Sequence, residues 1–342
     1  MIDFNQIINQ ALAEQLSRPN RKQHIQPLIN RIFRKRRQIN QLQKLGWRQP
    51  RINLLRSLRP LLSLEPLNRV LQEAARTELA RLNYCSLNAL ERCIHPGTPI
   101  IAIVSCRQRM QKARKSLQHF QAIDKKPWAS PLVITGNPAL PDWSFKVHPE
   151  KNWLEIPCGD DYQDLPAKVM TLMWVISLLR PCPSLLKADD DSAPGNQEAL
   201  ARLTQRTNTA YPTAAGFPIV TPSALSLDRG WHIGKSSGKH NHQPFASLGT
   251  ECWMSGGAGY LLNSAAVISL GEHALHSWAF TESMLYEDVC VSMQLQSLHC
   301  RMEWLINLDE LGITSERYHE ISQGQWQVPH HFLESRSLAN QQ

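Results

Sequence analysis

Apolar and polar positions change rhythm about a quarter of the way along the chain. Through residues 1–90 the apolar positions recur in steps of three and four. Ile25, Leu28, Ile29, Ile32 and Phe33 form one set, Ile39, Leu42 and Leu45 a second, and Leu67, Val70, Leu71, Ala74 and Ala75 a third. That spacing puts each set on one stripe of a helix. Arg34-Lys35-Arg36-Arg37 falls on the polar side, Pro60 and Pro66 punctuate, and the third helix is expected to end near Asn83. From Pro96 the pattern is different. Pro99 to Val104 is a continuous apolar run, the mark of a strand covered on both faces. Ser105-Cys106-Arg107 follows at its carboxyl end, then a basic helix from about Gln108 to Phe120. Pro131 to Thr135 and Trp153 to Ile156 read as further strands. Gly159-Asp160-Asp161-Tyr162 leads into Val169 to Leu179, where only Thr171 and Ser177 are polar. This run falls short of the ~20 residues that cross a bilayer, so it predicts a helix buried on most of its circumference. A break at Arg180-Pro181-Cys182-Pro183 precedes a short strand that runs into Asp189-Asp190-Asp191.

Farther on, Pro194 is expected to start a helix to about Arg206, and Phe217 to Val220 to form a strand. Asp228 to Thr250 is polar and glycine-rich and reads as a long loop. Its histidines (His232, His240, His242) fit no common zinc spacing. Asn263 is placed to cap a helix. Tyr286-Glu287-Asp288-Val289 opens another, with acidic residues suited to a helix N-terminus and apolar positions at Val289, Met293, Leu295 and Leu298. Strands alternating with helices predict an α/β fold with a mainly parallel sheet. The expected organisation is a basic helical region over residues 1–95 and an α/β domain over 96–342.

Charge sharpens this division. Residues 1–60 carry thirteen Lys and Arg against two carboxylates, whereas the whole chain has a net charge of +8, so the remainder is slightly acidic. A basic amphipathic segment suits a solvated helical cap first, an anionic membrane surface second, and nucleic acid last, since no aromatic interleaving accompanies the charge. The eight cysteines show no C-x-x-C pair. They are expected as buried free thiols, with Cys158 and Cys182 flanking the buried helix and open to bridging in an oxidising compartment. Met1 to Leu16 has no apolar signal core, and no stretch spans a membrane. The expectation is a cytoplasmic protein, with surface attachment to a membrane left open.

The acidic triplet is the candidate for chemistry. Alone it reads as a solvated acidic turn. At the carboxyl end of a strand, however, it lies where open α/β sheets bind ligands. Adjacent carboxylates repel, and a hard divalent cation with oxygen ligands is a natural partner. Trp253-Met254-Ser255-Gly256-Gly257-Ala258-Gly259-Tyr260 adds glycines that let backbone approach a ligand, without the lysine of a P-loop.

Several stretches in one order resemble the inverting glycosyltransferases of the Fringe and β-1,3-galactosyltransferase type. Asp161-Tyr162-Gln163-Asp164-Leu165 with Lys168 resembles that family's entry to the buried helix, and Trp174 and Cys182 match its tryptophan and cysteine. Lys187 to Asp191 matches its lysine-x-Asp-Asp-Asp motif, Gly257-Ala258-Gly259-Tyr260 its glycine-tyrosine segment, and Glu287-Asp288-Val289 its Glu-Asp-Val motif. The resemblance spans roughly Pro99 to His331. Ser192-Ala193-Pro194 departs from the family's apolar continuation, and the basic helices stand where its membrane anchor would be, which excludes a Golgi-type location.

The resemblance implies a GT-A fold, a Rossmann-like nucleotide-diphospho-sugar transferase fold, with an added N-terminal helical region. It implies manganese or magnesium, a UDP-sugar donor and a glycan acceptor. Metal would be held by Asp189, Asp191 and a late histidine, His331 ahead of His330. The donor would meet Ser105, Arg107, Arg114, Asp161, Lys168, Asp189, Asp190, Gly256 and Gly257. Asp288, with Glu287 second, would deprotonate the acceptor hydroxyl. Two other readings stand beside it. A metal-dependent nuclease or phosphatase would use the Asp cluster but gives the glycine and Glu-Asp-Val segments no role. A non-catalytic sugar-nucleotide or glycan-binding protein would need no base.

Overall fold

The computed structural model describes residues 79–80, 82–122, 127–220, 227–229, 233–236, 245–247, 252–274 and 277–322. The basic N-terminal stretch, most of the glycine-rich loop, His330 and His331 lie outside them. The chain divides into two units. Of the first, Met1–Tyr84 with Leu275–Ser277, little falls among the described residues. Its Asn83 side-chain amide donates to the Leu79 carbonyl at 2.9 Å, one helical turn back. The second, Cys85–Ala274 with Trp278–Gln342, carries everything below.

The helical residues at 79–80 and 82 give way to a turn at Asn83, where a helix end was expected, and a separate helix α1 (Tyr84–Glu91) follows. Strand β1 (Ile100–Val104) is buried at every residue, as its apolar run predicts. A 3-10 turn over Arg107–Arg109 leads into α2 (Met110–Gln121), followed by β2 (Ser130–Gly136). A strand the periodicity did not single out, β3 (Lys146–His148), precedes β4 (Trp153–Ile156). Helix α3 (Leu165–Ser177) is buried from Lys168 to Ser177, and β5 (Leu185–Asp189) ends on the first residue of the acidic triplet.

After the triplet the expectation needs correction. Pro194 does not start a helix: Ala193–Pro194 forms β6, and α4 (Gln197–Thr207) begins after Asn196, whose side chain accepts from the Ala199 N–H at 3.1 Å. An asparagine cap satisfies an orphan N–H that proline has no means of reaching. Strands β7 (Thr213–Gly216) and β8 (Pro218–Val220) stand on either side of Phe217. Part of the expected loop is regular, with β9 (Leu227–Arg229) and β10 (Phe245–Ser247) paired antiparallel. Then come β11 (Cys252–Met254), β12 (Tyr260–Leu262), α5 (Ser264–Ala274), α6 (Trp278–Ser283), α7 (Glu287–Ser297), β13 (Arg301–Trp304), β14 (Ile313–Thr314) and α8 (Glu316–Ser322). Asn263 caps α5 as expected, accepting from the Ala266 N–H at 2.8 Å.

Among the described residues the main sheet has eight strands in the order β13-β7-β12-β5-β1-β2-β4-β3. It is mixed. β5, β1, β2 and β4 run parallel, β12 and β3 antiparallel to their neighbours. Ile101, Ile103 and Val133 of β1 and β2 pack on one face with Ala113, Leu117 and Phe120 of α2 and with Leu200 and Leu203 of α4. α3 and α5 cover the other face. They approach closely because Gly271 has no side chain: a Cβ there would stand 2.5 Å from Ser177 Oγ. The result is an α/β architecture compatible with a Rossmann-like fold. The chain leaves β1 for β2 on one side and returns through α3 to β5 on the other. β1 and β5 therefore flank the topological switch point, where a crevice opens beyond the strands' carboxyl ends.

No two cysteines among the described residues are bridged, Cys158 and Cys182 included, and Cys93, Cys158, Cys252, Cys290 and Cys300 are buried. No helix among the described residues is long and apolar enough to cross a membrane.

Candidate active site

A cavity of about 450 Å3 lies at this switch point. Its walls come from the ends of β1 and β5, the entry to α3, the Ser255–Gly257 turn, the start of α7 and the start of α8. Each wall is held by a polar contact that the local sequence makes possible.

At the end of β1, Ser105 Oγ donates to Asp190 Oδ2 at 2.8 Å, and the Arg109 guanidinium reaches Asp190 Oδ1 at 2.6 Å. Asp190 thus ties the two strand ends together and is buried. Burial pushes its carboxyl up, against the opposing effect of Ser105 and Arg109. Asp160 does similar work at the entry to α3. Its Oδ1 accepts from the Gly136 N–H at 2.7 Å and from Lys168 Nζ at 2.7 Å, and its Oδ2 from the Arg107 N–H at 2.6 Å. Lys168 is 1 % exposed and also donates to the Ser105 carbonyl at 2.8 Å. It therefore acts as an internal strut between α3 and β1.

The other two carboxylates of the triplet face differently. Period-two alternation puts Lys187 and Asp189 on the same face of β5. Lys187 Nζ lies 2.5 Å from Asp189 Oδ1, 2.9 Å from the Gly256 carbonyl and 3.4 Å from Glu287 Oε2. The Asp189 side chain is 40 % exposed, that of Lys187 3 %. Asp191 is 15 % exposed, with Lys112 Nζ 3.9 Å from its Oδ2 and its Oδ1 buried without a hydrogen-bond partner. Burial, then the charge of Asp189, pushes the Asp191 carboxyl up to about 6. A buried oxygen lone pair without a donor is costly in a folded protein, and water, an ion or a bound group commonly satisfies it.

Glu287 and Asp288 open α7 together but have unlike surroundings. Glu287 is buried; its Oε1 accepts a short hydrogen bond from the Tyr260 hydroxyl and its Oε2 faces Lys187. Burial pushes its carboxyl up, while Lys187 pulls it down. For Lys187 burial acts downward, but Asp189 and Glu287 outweigh it and hold the ammonium above its ordinary value. Asp288 is half-buried on the cavity wall, where Oδ2 accepts from the Gly256 N–H at 3.2 Å and Oδ1 from the Val289 N–H at 2.9 Å. A Cβ on Gly256 would stand 2.8 Å from Glu287 Oε2 and 3.0 Å from the Asp288 Cβ, so glycine lets this turn pack against the start of α7. Gly257 leaves room for Arg317, whose Cβ lies 3.1 Å from where a glycine Cβ would be. Tyr162 closes another side, its phenol pushed up by burial and by Asp288.

Of the residues expected from sequence, Ser105, Asp161, Lys168, Asp189, Asp190, Asp191, Gly256, Gly257, Glu287 and Asp288 all line this one cavity. Arg107 and Arg114 do not. The Arg107 guanidinium turns to Glu155 at 3.1 Å, and Arg114 is exposed on α2. Arg109, Asp160, Tyr260 and Arg317 were not anticipated as site residues. For Arg109 the available signal was its place in the turn directly after β1, and for Asp160 its place before the α3 entry. Nothing in the sequence pairs Tyr260 with Glu287, which lie in separate elements.

Among the described residues no three His, Cys, Asp or Glu side chains form a ready-made metal cage. That accords with the wiring, since Asp190 is committed to Ser105 and Arg109. Asp189 and Asp191 are left as a pair. Small hard divalent ions are commonly held by one or two carboxylates, with substrate phosphates and water completing the shell. The donor set therefore fits such an ion together with a phosphorylated ligand. No protein-family model matches the chain, and comparison with curated proteins finds no match.

Proposed function

We propose that the chain is a metal-dependent inverting glycosyltransferase with a GT-A fold. It would transfer a hexose or N-acetylhexosamine from a UDP-sugar to a glycan hydroxyl, with a β-1,3 linkage as the expected product. The observation that carries this reading is the buried Asp191 oxygen without a hydrogen-bond partner, near the half-exposed Asp189 and in the same cavity as Asp288. Manganese or magnesium bound there would offset the charge of the departing diphosphate.

The chain's own residues supply the rest. Asp189 and Asp191 would hold the ion. Asp190, Lys168 and Asp160 keep the strand ends in place and contribute rigidity rather than ligands. The glycine turn Gly256–Gly257 lets Glu287 and Arg317 pack close against its backbone and so holds the cavity wall in place. Asp288 takes the proton from the acceptor hydroxyl as it attacks, its carboxylate aimed by the Gly256 and Val289 amides. Glu287 is buried and tied to Tyr260 and Lys187, whereas Asp288 is half-buried on the cavity wall, so Glu287 acts as support rather than as the base. Attack opposite the leaving diphosphate inverts the anomeric centre.

The test is release of nucleoside diphosphate from a panel of sugar nucleotides, with manganese and mixed glycan acceptors. Acceptor-stimulated UDP release that disappears on chelation is expected. No release from any donor, or cleavage of plasmid DNA under the same conditions, would overturn the reading.

A further inference from the structure

We propose that Lys187 is a positioning residue, anchored by Glu287 and Tyr260, that fixes the register between Asp189 and Asp288. The inference rests on the function proposed above. Its basis is a continuous chain of contacts. The Tyr260 hydroxyl donates to Glu287 Oε1, and Glu287 Oε2 faces Lys187 Nζ at 3.4 Å. Lys187 then divides its remaining protons between Asp189 Oδ1 at 2.5 Å and the Gly256 carbonyl at 2.9 Å. The N–H of the same Gly256 donates to Asp288 Oδ2 at 3.2 Å. A single ammonium therefore grips the carboxylate proposed to hold metal and, through one glycine residue, steers the carboxylate proposed to act as base. An ammonium has three donors and no acceptor, and three partners stand around this one.

The surroundings allow little slack. Lys187 and Tyr260 are buried, and a Cβ on Gly256 would collide with Glu287. At Gly259, with φ +87°, a Cβ would stand 2.8 Å from the Lys187 carbonyl, so the backbone of β5 and the glycine turn are also in contact. With Lys187 on its Oδ1, Asp189 has Oδ2 left for the cavity. Residues one layer behind a ligand commonly set its direction in this way, and their loss costs roughly 10- to 100-fold in metal affinity or activity.

A purely structural alternative is that Lys187 only neutralises buried Glu287. Replacing both members of such a pair removes the unpaired charge that a single substitution leaves behind. The experiment compares wild type with the double variant Lys187→Met, Glu287→Gln. It measures thermal stability, manganese affinity in the presence of UDP by electron paramagnetic resonance, and kcat and KM for transfer. A positioning role predicts near-wild-type stability, manganese affinity reduced roughly 10- to 100-fold and a comparable loss in kcat. Recovery of manganese affinity and kcat together with stability would overturn it.

If the double variant does not fold, Tyr260→Phe removes a single hydroxyl. The expected result is kcat lower by about tenfold, the scale of one buried hydrogen bond to a charged group, with donor KM within about twofold. An unchanged kcat in that variant would overturn the inference. Failure of the wild type itself to bind manganese with UDP would overturn the underlying reading, and this inference with it.

Discussion

The two ends of the β1–β5 crossing offer cavities of similar size and opposite character. The one at the carboxyl edge measures about 450 Å3, and the one at the amino edge, between Pro96–Pro99 and Arg180–Ser184, about 410 Å3. The first is lined by the ends of these strands and the residues after them, the second by the segments that lead into them. At the carboxyl edge the protein buries Lys168, Lys187, Asp190 and Glu287. At the amino edge the ionisable lining residues, Glu91, His95 and Arg180, are exposed, and the backbone is stiffened by Pro96, Pro99, Pro181 and Pro183. Volume alone does not separate the two. Buried charge does, because desolvating a charged group is tolerated only where an arrangement of partners offsets it. Clusters of such groups in a cleft are candidates for function.

The comparison breaks most visibly at Asp288. Asp288→Asn keeps the side chain's size and removes its basicity. Transfer is expected to fall by about 10²- to 10⁴-fold with donor affinity nearly unchanged, as steady-state kinetics and calorimetry would show. Near-wild-type transfer would place the base elsewhere.

Asp191 gives the next effect, and it has an unusual sign. Its folded-state carboxyl is raised to about 6 by burial and by Asp189. The folded protein therefore holds a proton that the unfolded chain releases nearer 4. Stability falls as pH rises through that window, by about 2 to 3 kcal/mol for a shift of this size. Asp191→Asn should raise the melting temperature of the metal-free protein at pH 7, with the advantage vanishing toward pH 4. A variant less stable than wild type at pH 7 would contradict this. A residue whose removal stabilises the fold is one retained for another purpose.

A substitution away from both cavities sharpens the contrast. Gly271→Val pushes side-chain atoms into Ser177 and the Met173 carbonyl across the α3–α5 contact. It should cost about 1 to 3 kcal/mol in denaturant unfolding. Manganese-dependent UDP affinity of the folded fraction should not move. The smallest effect belongs to the amino edge. His95→Ala should shift stability by about 0.5 kcal/mol or less, since the side chain is exposed. Its transfer rate should stay within about twofold of wild type.

Where an element rests on short-range pattern, the sequence reveals it. The apolar run of β1, the buried α3, the acidic turn after β5, the Asn263 cap and the α7 start are all legible from neighbours a few residues apart. The pattern failed where a partner far along the chain decides. Ala193–Pro194 is a strand because Ile313–Thr314 pairs with it, more than a hundred residues on. β3 is short and polar and takes its conformation from β4. The site divides the same way. The carboxylates and glycines of the cavity could be singled out, because adjacent charges and clustered glycines are conspicuous locally. Their division of labour could not. Asp190 is set apart from Asp189 and Asp191 by Ser105 and Arg109, and Glu287 from Asp288 by Tyr260 and Lys187.

The central claim is that the carboxyl-edge cavity binds a divalent ion and a nucleoside diphosphate together through Asp189 and Asp191. Calorimetric titration of UDP into wild type and Asp191→Asn, each with and without manganese, tests it most directly. Wild type should bind UDP tightly only with the metal, and the variant should lose that dependence while remaining folded. Equal UDP affinity with and without manganese in both proteins, or metal dependence that survives in Asp191→Asn, would contradict the account.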